Sequence, residues 1–325
     1  MLFIENKSTD PYFNLAAEEF LMNELSEEVF MLWRNAHTIV IGRNQNTLAE
    51  INYDYVKDKG IHVVRRMSGG GAVFHDLGNI NFTFIMNSGD DFSNYAKFTQ
   101  PVIDFLQSLG ANAALRGRND LVIAEKKISG NAQYMHKNRI LHHGTLLYDT
   151  EQSHLAEALR VSEDKIKSKG IQSVRSRVTN IRPYLNESLS PEAFIERFKD
   201  YMTKMVADCQ YYDLQPHVAD IQRLRDEKYA TWDWNFGYSP KYTYHKKKRF
   251  SFGEVEVHLD INSSSVIESA KVSGDFFSKK PIEELEAALC NRHHEPKEVL
   301  KAFSCQEISD YIQGMTPNDL MELLF

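Results

Sequence analysis

Ile61-His62-Val63-Val64 runs directly into Arg65-Arg66-Met67-Ser68-Gly69-Gly70-Gly71-Ala72-Val73-Phe74-His75-Asp76. Shortly afterwards Ile80, Phe82, Phe84 and Met86 alternate with other residues. The first run reads as a short strand. The alternation reads as a second strand with one face on a core. Between them stand three consecutive glycines, which let backbone N–H groups approach an anion closely. The two arginines just before them offer planar forks for carboxylate or phosphate. Neither G-K-[ST] nor G-x-G-x-x-G occurs there, so the loop is not one of the two common phosphate-binding fingerprints. A flexible turn between two strands explains the glycines equally well.

Outward from this stretch, strands and helices mix without steady βαβ alternation. Asp10-Pro11 reads as an N-cap and first helical position, followed by Leu15, Ala16, Phe20, Leu21 and Leu25 at helical spacing. Thr38 to Gly42, Leu121 to Ala124 and Ile140 to Tyr148 read as strands. Ser93 reads as the cap of a helix reaching Leu109. Ser190-Pro191 opens an amphipathic helix through Phe194, Phe198, Met205 and Cys209, and residues 216–229 look helical. The pattern favours an α+β fold with a largely antiparallel or mixed sheet. Lys246-Lys-Lys-Arg249 reads as a joint. Beyond it Val255, Val257, Leu259 and Ile261 alternate, and Pro281 starts a helical tail. The expected organisation is a domain over 1–245 and a small α+β C-terminal domain over 246–325.

Of the 325 residues, 42% are hydrophobic and 26% charged, the make-up of an ordinary globular protein. A formal charge of −7 makes nucleic acid a poor candidate partner. The three cysteines, Cys209, Cys290 and Cys305, are scattered and form no C-x-x-C pair, which argues against a zinc or redox motif. Neither a signal peptide nor an apolar run of membrane-spanning length is evident. The expectation is a cytoplasmic protein without a membrane partner.

Further clusters carry candidate chemistry. Asp120 begins an apolar strand after Arg118-Asn119, and Lys126-Lys127 precede Ile128-Ser129-Gly130-Asn131. That arrangement reads as a lysine at a Ser-Gly turn, and composition does not choose between the two lysines. His142 and His143 are adjacent in a strand. They point to opposite faces and cannot chelate one ion together. Residues 169–180 form a basic loop. No G-x-S-x-G elbow is present. The residues alone describe a basic, glycine-lined site for an anion, with a nucleotide as one option.

Taken in order, R-R-M-S-G-G-G-A-V-F-H-D, R-N-D-L, K-I-S-G-N-A, H-H-G-T-L-L and S-V-R-S-R-V-T-N resemble the lipoate–protein ligase family, bacterial type with a C-terminal accessory domain. The resemblance covers residues 1–245 and, more loosely, the remainder. It implies the biotin/lipoate ligase fold, a mixed β-sheet flanked by helices. It also implies an ATP-dependent enzyme that forms lipoyl-AMP and transfers the lipoyl group to a lysine of acceptor lipoyl domains. ATP and Mg²⁺ are the implied cofactors. The implied partners are lipoyl domains of 2-oxoacid dehydrogenase complexes and the glycine cleavage H protein. By position, Arg66 and Gly71-Ala72-Val73-Phe74 match ATP and adenylate contacts. Lys127 matches the lysine that touches both the lipoyl carboxyl group and the phosphate, which selects it over Lys126. Asp120 and His143 match residues near the adenylate, and 169–180 matches a loop that closes over it. No resident protein-held metal site is implied. The alternatives are a lipoyl or octanoyl transferase of the same fold, which needs a cysteine nucleophile, and a non-catalytic lipoyl-adenylate binder.

Overall fold

The computed structural model of the chain describes residues 1–325 except 46, 88, 152–156, 160–177, 207, 237–243, 263–265, 295 and 304. The basic segment 169–177 therefore lies outside the described residues. In chain order the strands are β1 (Leu2–Asn6), β2 (Val29–Trp33), β3 (Thr38–Ile41), β4 (His62–Arg65), β5 (Val73–His75), β6 (Asn79–Met86) and β7 (Ala113–Arg116). They continue as β8 (Asp120–Ile123), β9 (Lys126–His136), β10 (Arg139–Leu147), β11 (Gln210–Tyr211), β12 (Tyr244–Phe250), β13 (Gly253–Ile261) and β14 (Ile267–Gly274). The fold divides into two compact units: Met1–Val40, Ile51–Val64 and Val73–Asn235 form the larger, and Ile41–Glu50, Arg65–Ala72 and Phe236–Phe325 the smaller.

The larger unit is built on an eight-stranded sheet of order β11-β1-β2-β6-β10-β9-β8-β7. β1 is parallel to β2 and β11, and the remaining neighbours are antiparallel, so the sheet is mixed. Period-two alternation sorts its side chains. Phe30, Leu32, Ile80, Phe82 and Phe84 enter a core with Phe98, Val102, Phe105 and Leu106 of the helix Tyr95–Ser108 and Phe194, Phe198 and Met202 of the helix Pro191–Met205. Asp10 caps the helix Pro11–Glu24 by accepting from the N–H groups of Tyr12 and Phe13. A smaller sheet has the order β4-β3-β5.

Three local readings change. Asn94, not Ser93, caps the helix Tyr95–Ser108, accepting from Lys97 N–H. Ser93 has φ 72°, outside the extended geometry of an N-cap. The helix from Pro191 ends at Met205, which is 62% exposed, and Met202 takes the core position instead. Lys127, Ser129 and Gly130 lie inside the strand β9. The turn is Ala124-Glu125, with φ 49° and 62°.

The main body of the smaller unit is the antiparallel sheet β12-β13-β14. Val255, Val257, Leu259 and Val272 pack on Ile282, Leu285 and Leu289 of the helix Ile282–Leu289 and on Leu320, Leu323 and Leu324 of the helix Pro317–Leu324. Lys246 to Arg249 is not a linker: it lies within the edge strand β12. Charge on an edge strand discourages pairing with other chains, which is why a strand can look like a joint. Among the described residues no helix is long and apolar enough to cross a membrane.

Candidate active site

In the larger unit, β8 and β9 form a hairpin whose register slips between Leu121 and Val122. Leu121 pairs with Ser129, but Val122 pairs with Lys127. The extra residue, Ile128, is fully buried. A bulge of this kind re-aims a side chain. Here it brings Lys127 over the same face as Gly130, three positions on, whereas regular pleating puts residues three apart on opposite faces. Asp120 is the register partner of Gly130. The ammonium consequently crosses above Gly130 and meets Asp120 Oδ1 at 2.7 Å, with both side chains 39% exposed. A Cβ at Gly130 would stand 3.1 Å from Lys127 Nζ. The lysine backbone is tied on its other side, where its carbonyl accepts from Thr179 N–H at 3.0 Å and it bridges to Val178.

The R-N-D and K-I-S-G-N segments meet through two asparagines. Asn119 Nδ2 donates to the Asn131 carbonyl at 2.6 Å, and Asn131 Nδ2 donates to the Asn119 carbonyl at 3.0 Å. This clamp seats Asp120 opposite the lysine. Gly130→Ala should therefore displace the ammonium by a few tenths of an ångström without unfolding the hairpin. Because small misplacements of reacting groups are costly, we expect a drop of about tenfold in the rate of any step that this ammonium serves, with an unchanged melting temperature. Equal rates in single-turnover assays would contradict this reading.

His142 and His143 do face opposite ways. His142 is fully buried, stacked on Phe98 at 4.9 Å and 8°. Its Nδ1 lies 3.1 Å from Gln133 Nε2 and its Nε2 lies 3.3 Å from Asn131 Oδ1. Burial, and secondarily the neighbouring His143, holds it well below the usual imidazole range. It is a neutral packing residue. His143 Nδ1 sits 3.0 Å from both carboxylate oxygens of Glu18. Glu18 Oε1 also accepts from Thr83 Oγ1 at 2.6 Å, and Thr83 accepts from Trp33 Nε1 at 2.9 Å.

This second sheet face is polar yet buried. Asn79, Asn81 and Thr83 alternate along β6, and Asn81 and Thr83 face Thr145 and His143 of β10 in register. Asn79 Nδ2 donates to Asn81 Oδ1 at 2.9 Å. The other amide atoms, Asn79 Oδ1 and Asn81 Nδ2, are buried without a hydrogen-bond partner among the described residues. An unmade buried hydrogen bond is expensive, and a polar ligand would satisfy both atoms. Thr145 Oγ1 accepts from Gly130 N–H at 3.2 Å and so connects this row to the lysine hairpin. Sequence reasoning missed Glu18, Asn79, Asn81 and Thr145. The signal was present, since a strand with an apolar face carried amides rather than charges on the other.

Val73 and Phe74 lie in β5, paired with Val40 and Ile39. Phe74 is buried and stacks on His37 at 6.2 Å. Asp76 is a turn former: Oδ1 accepts from the N–H groups of Gly78 and Asn79, and Oδ2 from that of Glu151.

In the smaller unit, Arg65 has no exposed surface. Its Nη1 donates to the carbonyls of Gly42, Arg43 and Gln45 at 3.0, 2.9 and 2.7 Å, and Nη2 donates to Thr47 Oγ1 at 2.7 Å. Arg66 Nε donates to Ser68 Oγ at 3.0 Å, and Nη2 to the carbonyls of Gly69 and Gly71 at 2.7 and 2.9 Å. Both guanidinium groups are thus turned toward backbone oxygens of the loops around them. Gly70 has φ 94° and donates its N–H to the Phe276 carbonyl at 3.1 Å. Gly71 and Ala72 are half-buried.

Of the predicted site residues, Lys127, Asp120, His143, Val73 and Phe74 belong to the larger unit and Arg66, Gly71 and Ala72 to the smaller. Lys127 and Asp120 touch each other, while His143 is paired with Glu18.

Residues 10–203 match the lipoyl protein ligase A/B catalytic domain, and residues 239–324 match the bacterial lipoate protein ligase C-terminus. The lipoate-protein ligase LplJ of Bacillus subtilis is 42% identical over 332 aligned positions, spanning 100% of both chains. The chain belongs to the lipoate–protein ligase family. Among solved structures, P. falciparum LipL1 in complex with lipoate superposes with a TM-score of 0.78 at 27% identity, covering 93% of each chain. A lipoate-protein ligase A bound with ATP gives 0.58 at 26% identity, covering 73% of this chain and 98% of its own. The mixed sheet flanked by helices is therefore the lipoate ligase fold, with the family's C-terminal domain present.

Proposed function

We propose that this ligase activates lipoate with ATP and joins it to a lysine of an acceptor lipoyl domain. The observation that carries the reading is Lys127, held by the β8–β9 bulge over Gly130 and half-exposed beside Asp120. A carboxylate is inert to amines because it has no good leaving group. In the first step a lipoate oxygen attacks the α-phosphorus of ATP, and pyrophosphate leaves. In the second step the acceptor amine attacks the carbonyl of lipoyl-AMP. AMP departs, an amide forms and one proton is released. Negative charge grows on phosphate oxygens first and on the carbonyl oxygen next, so one preorganised ammonium between them serves both steps.

Asp120 balances that ammonium. It is also the carboxylate that fits Mg²⁺ carried on the nucleotide, since Mg²⁺ is usually held by substrate phosphates and one or two carboxylates. The ion would neutralise the leaving pyrophosphate. Arg66, Gly71, Ala72, Val73 and Phe74 are assigned to ATP and adenylate binding on the family motif, and His143 to a place near the adenylate. Lipoyl domains of 2-oxoacid dehydrogenase complexes and the glycine cleavage H protein are the proposed acceptors.

Cysteine-based transfer has little support. Cys209 is half-buried against the aromatic core, and burial pushes its thiol above the usual range, away from the thiolate a nucleophile needs. The test is the mass of a purified lipoyl domain after incubation, with ATP, Mg²⁺ and lipoate each omitted in turn. Lipoylation that needs all three, with pyrophosphate released even without acceptor, is the expected result. Transfer without ATP, or an acyl thioester on the protein, would replace this proposal with a transferase. Binding of lipoyl-AMP without any turnover would leave only a binder.

A further inference from the structure

Away from Lys127, the smaller unit carries a second cluster of coordinating side chains. β12 and β13 are in register so that His245 lies directly across from His258. Glu256 is two residues before His258 and therefore on the same face. That face is opposite the one carrying Val255, Val257 and Leu259 into the core. The result is a compact group. Glu256 Oε1 is 2.7 Å from His245 Nε2 and 2.9 Å from His258 Nε2. The two imidazoles stack at 4.3 Å and 19°. One donor atom from each of the three residues lies within 4.8 Å of the others. Glu256 and His258 are largely covered, at 12% and 14% exposure, while His245 is 51% exposed and leaves an approach from solvent.

We propose that His245, Glu256 and His258 form a binding site for a late first-row divalent cation, of which Zn²⁺ is the probe. The chemistry of the donor set selects the ion. Two imidazoles and one carboxylate are a recurrent zinc set, with a fourth position left to water. Imidazole suits Zn²⁺, Cu²⁺ and Ni²⁺, whereas Mg²⁺ and Ca²⁺ require oxygen. The cluster is accordingly distinct from any requirement for Mg²⁺ in ligation.

Three strand positions fix the backbone geometry, so little chain entropy remains to be lost on binding. The separations of 2.7 and 2.9 Å are hydrogen-bond lengths. Metal–ligand distances of about 2.0–2.2 Å require the donors to spread by roughly half an ångström, and each imidazole to carry its proton on Nδ1. His245, on the edge strand, stacks on His258 but is half-exposed to solvent and can make that adjustment. Lys247 opposes a cation from the neighbouring position, but its ammonium is drawn to Glu254 at 2.9 Å.

The experiment is titration of the chelator-treated, full-length protein with ZnCl₂ and, separately, MgCl₂, followed by calorimetry and by melting temperature. The visible spectrum of the Co²⁺ form reports coordination. We expect one Zn²⁺ per chain, a raised melting temperature and no response to Mg²⁺ at this cluster. His245→Ala and Glu256→Gln should each weaken Zn²⁺ binding by more than about tenfold, because even outer-shell changes cost tenfold or more. His136→Ala, at an exposed histidine at the end of β9, should bind as the parent does. His245 is exposed, so its replacement should leave a folded protein even if Glu256→Gln does not. Absence of Zn²⁺ binding, or binding unchanged in His245→Ala, would overturn the assignment.

Discussion

Lys127→Ala is expected to slow both half-reactions by on the order of 100- to 1000-fold, the usual cost of losing one preorganised charge-stabilising donor. The ammonium is placed by three features acting together: the bulge at Ile128, the open surface of Gly130 and the partner at Asp120. Truncation leaves that scaffold standing, because the side chain is half-exposed and contributes nothing to the core. The loss should therefore appear in rate and not in stability. Lys126, its exposed neighbour, pairs with Ile123 at the turn. Lys126→Ala should stay within a few-fold of the parent enzyme on the same scale. Lys127→Arg keeps the charge but replaces a compact ammonium by a longer planar fork, so partial rescue at best is expected. Single-turnover measurement of pyrophosphate release, and of amide formation from synthetic lipoyl-AMP, separates the two steps. Should Lys127→Ala remain within about tenfold of the parent in both, that role would belong to another group.

Arg65→Ala should be the most destabilising single change at the glycine-rich loop. Arg65 has no exposed surface and supplies donors to three carbonyls and one hydroxyl of the segment 42–47. Hydrogen bonds from a charged group contribute about 1.5–3 kcal/mol each, and buried acceptors left without donors add their own penalty. Non-additivity within one side chain keeps the total near 3–5 kcal/mol, the range found when one partner of a buried charged network is removed. In a unit of this size such a loss lowers the melting temperature by about 10 °C or more. Arg65→Lys should recover only part of it, because a single ammonium cannot fan out to the same four acceptors. Thermal and urea denaturation, with limited proteolysis of the 42–50 segment, would measure the effect. A shift of less than about 2 °C would mean that these carbonyls find other partners.

Much of the fold was readable because it is written in local period. Ile80, Phe82 and Phe84 alternate where β6 faces the core, and Val255, Val257 and Leu259 do the same in β13. Asp10-Pro11 announced a helix start that the structure keeps. What escaped depends on partners distant in sequence. A bulge exists only relative to the strand opposite, so K-I-S-G looked like a turn until β8 was beside it. Lys246 to Arg249 looked like a linker because the residues that make it a strand, Glu254 to Val257, lie opposite it on β13. The family motif singled out Lys127 and Asp120, and the structure places the two in contact. Glu18 was not, since one carboxylate on an amphipathic helix resembles any other until His143 and Thr83 are seen to point at it. Arg65 likewise resembled its neighbour Arg66; both are buried, and it is their acceptors, in 42–47 for Arg65 and in 68–71 for Arg66, that separate the two.

The composition of the smaller unit also bears on how the chain is made. Its segments Ile41–Glu50 and Arg65–Ala72 are translated well before Phe236–Phe325, which supplies most of the unit to which they belong. Arg43 and Glu283, which form an ion pair, are 240 positions apart. At about 5–20 residues per second that separation corresponds to roughly 10 to 50 seconds of synthesis. During that interval the glycine-rich loop has no Phe276 carbonyl to receive its Gly70 N–H. Folding that waits on contacts so distant in sequence is slow. An expressed fragment that stops before Phe236 would carry the loop permanently in this unfinished state, so a stable, isolated N-terminal piece is a poor reagent for studying it.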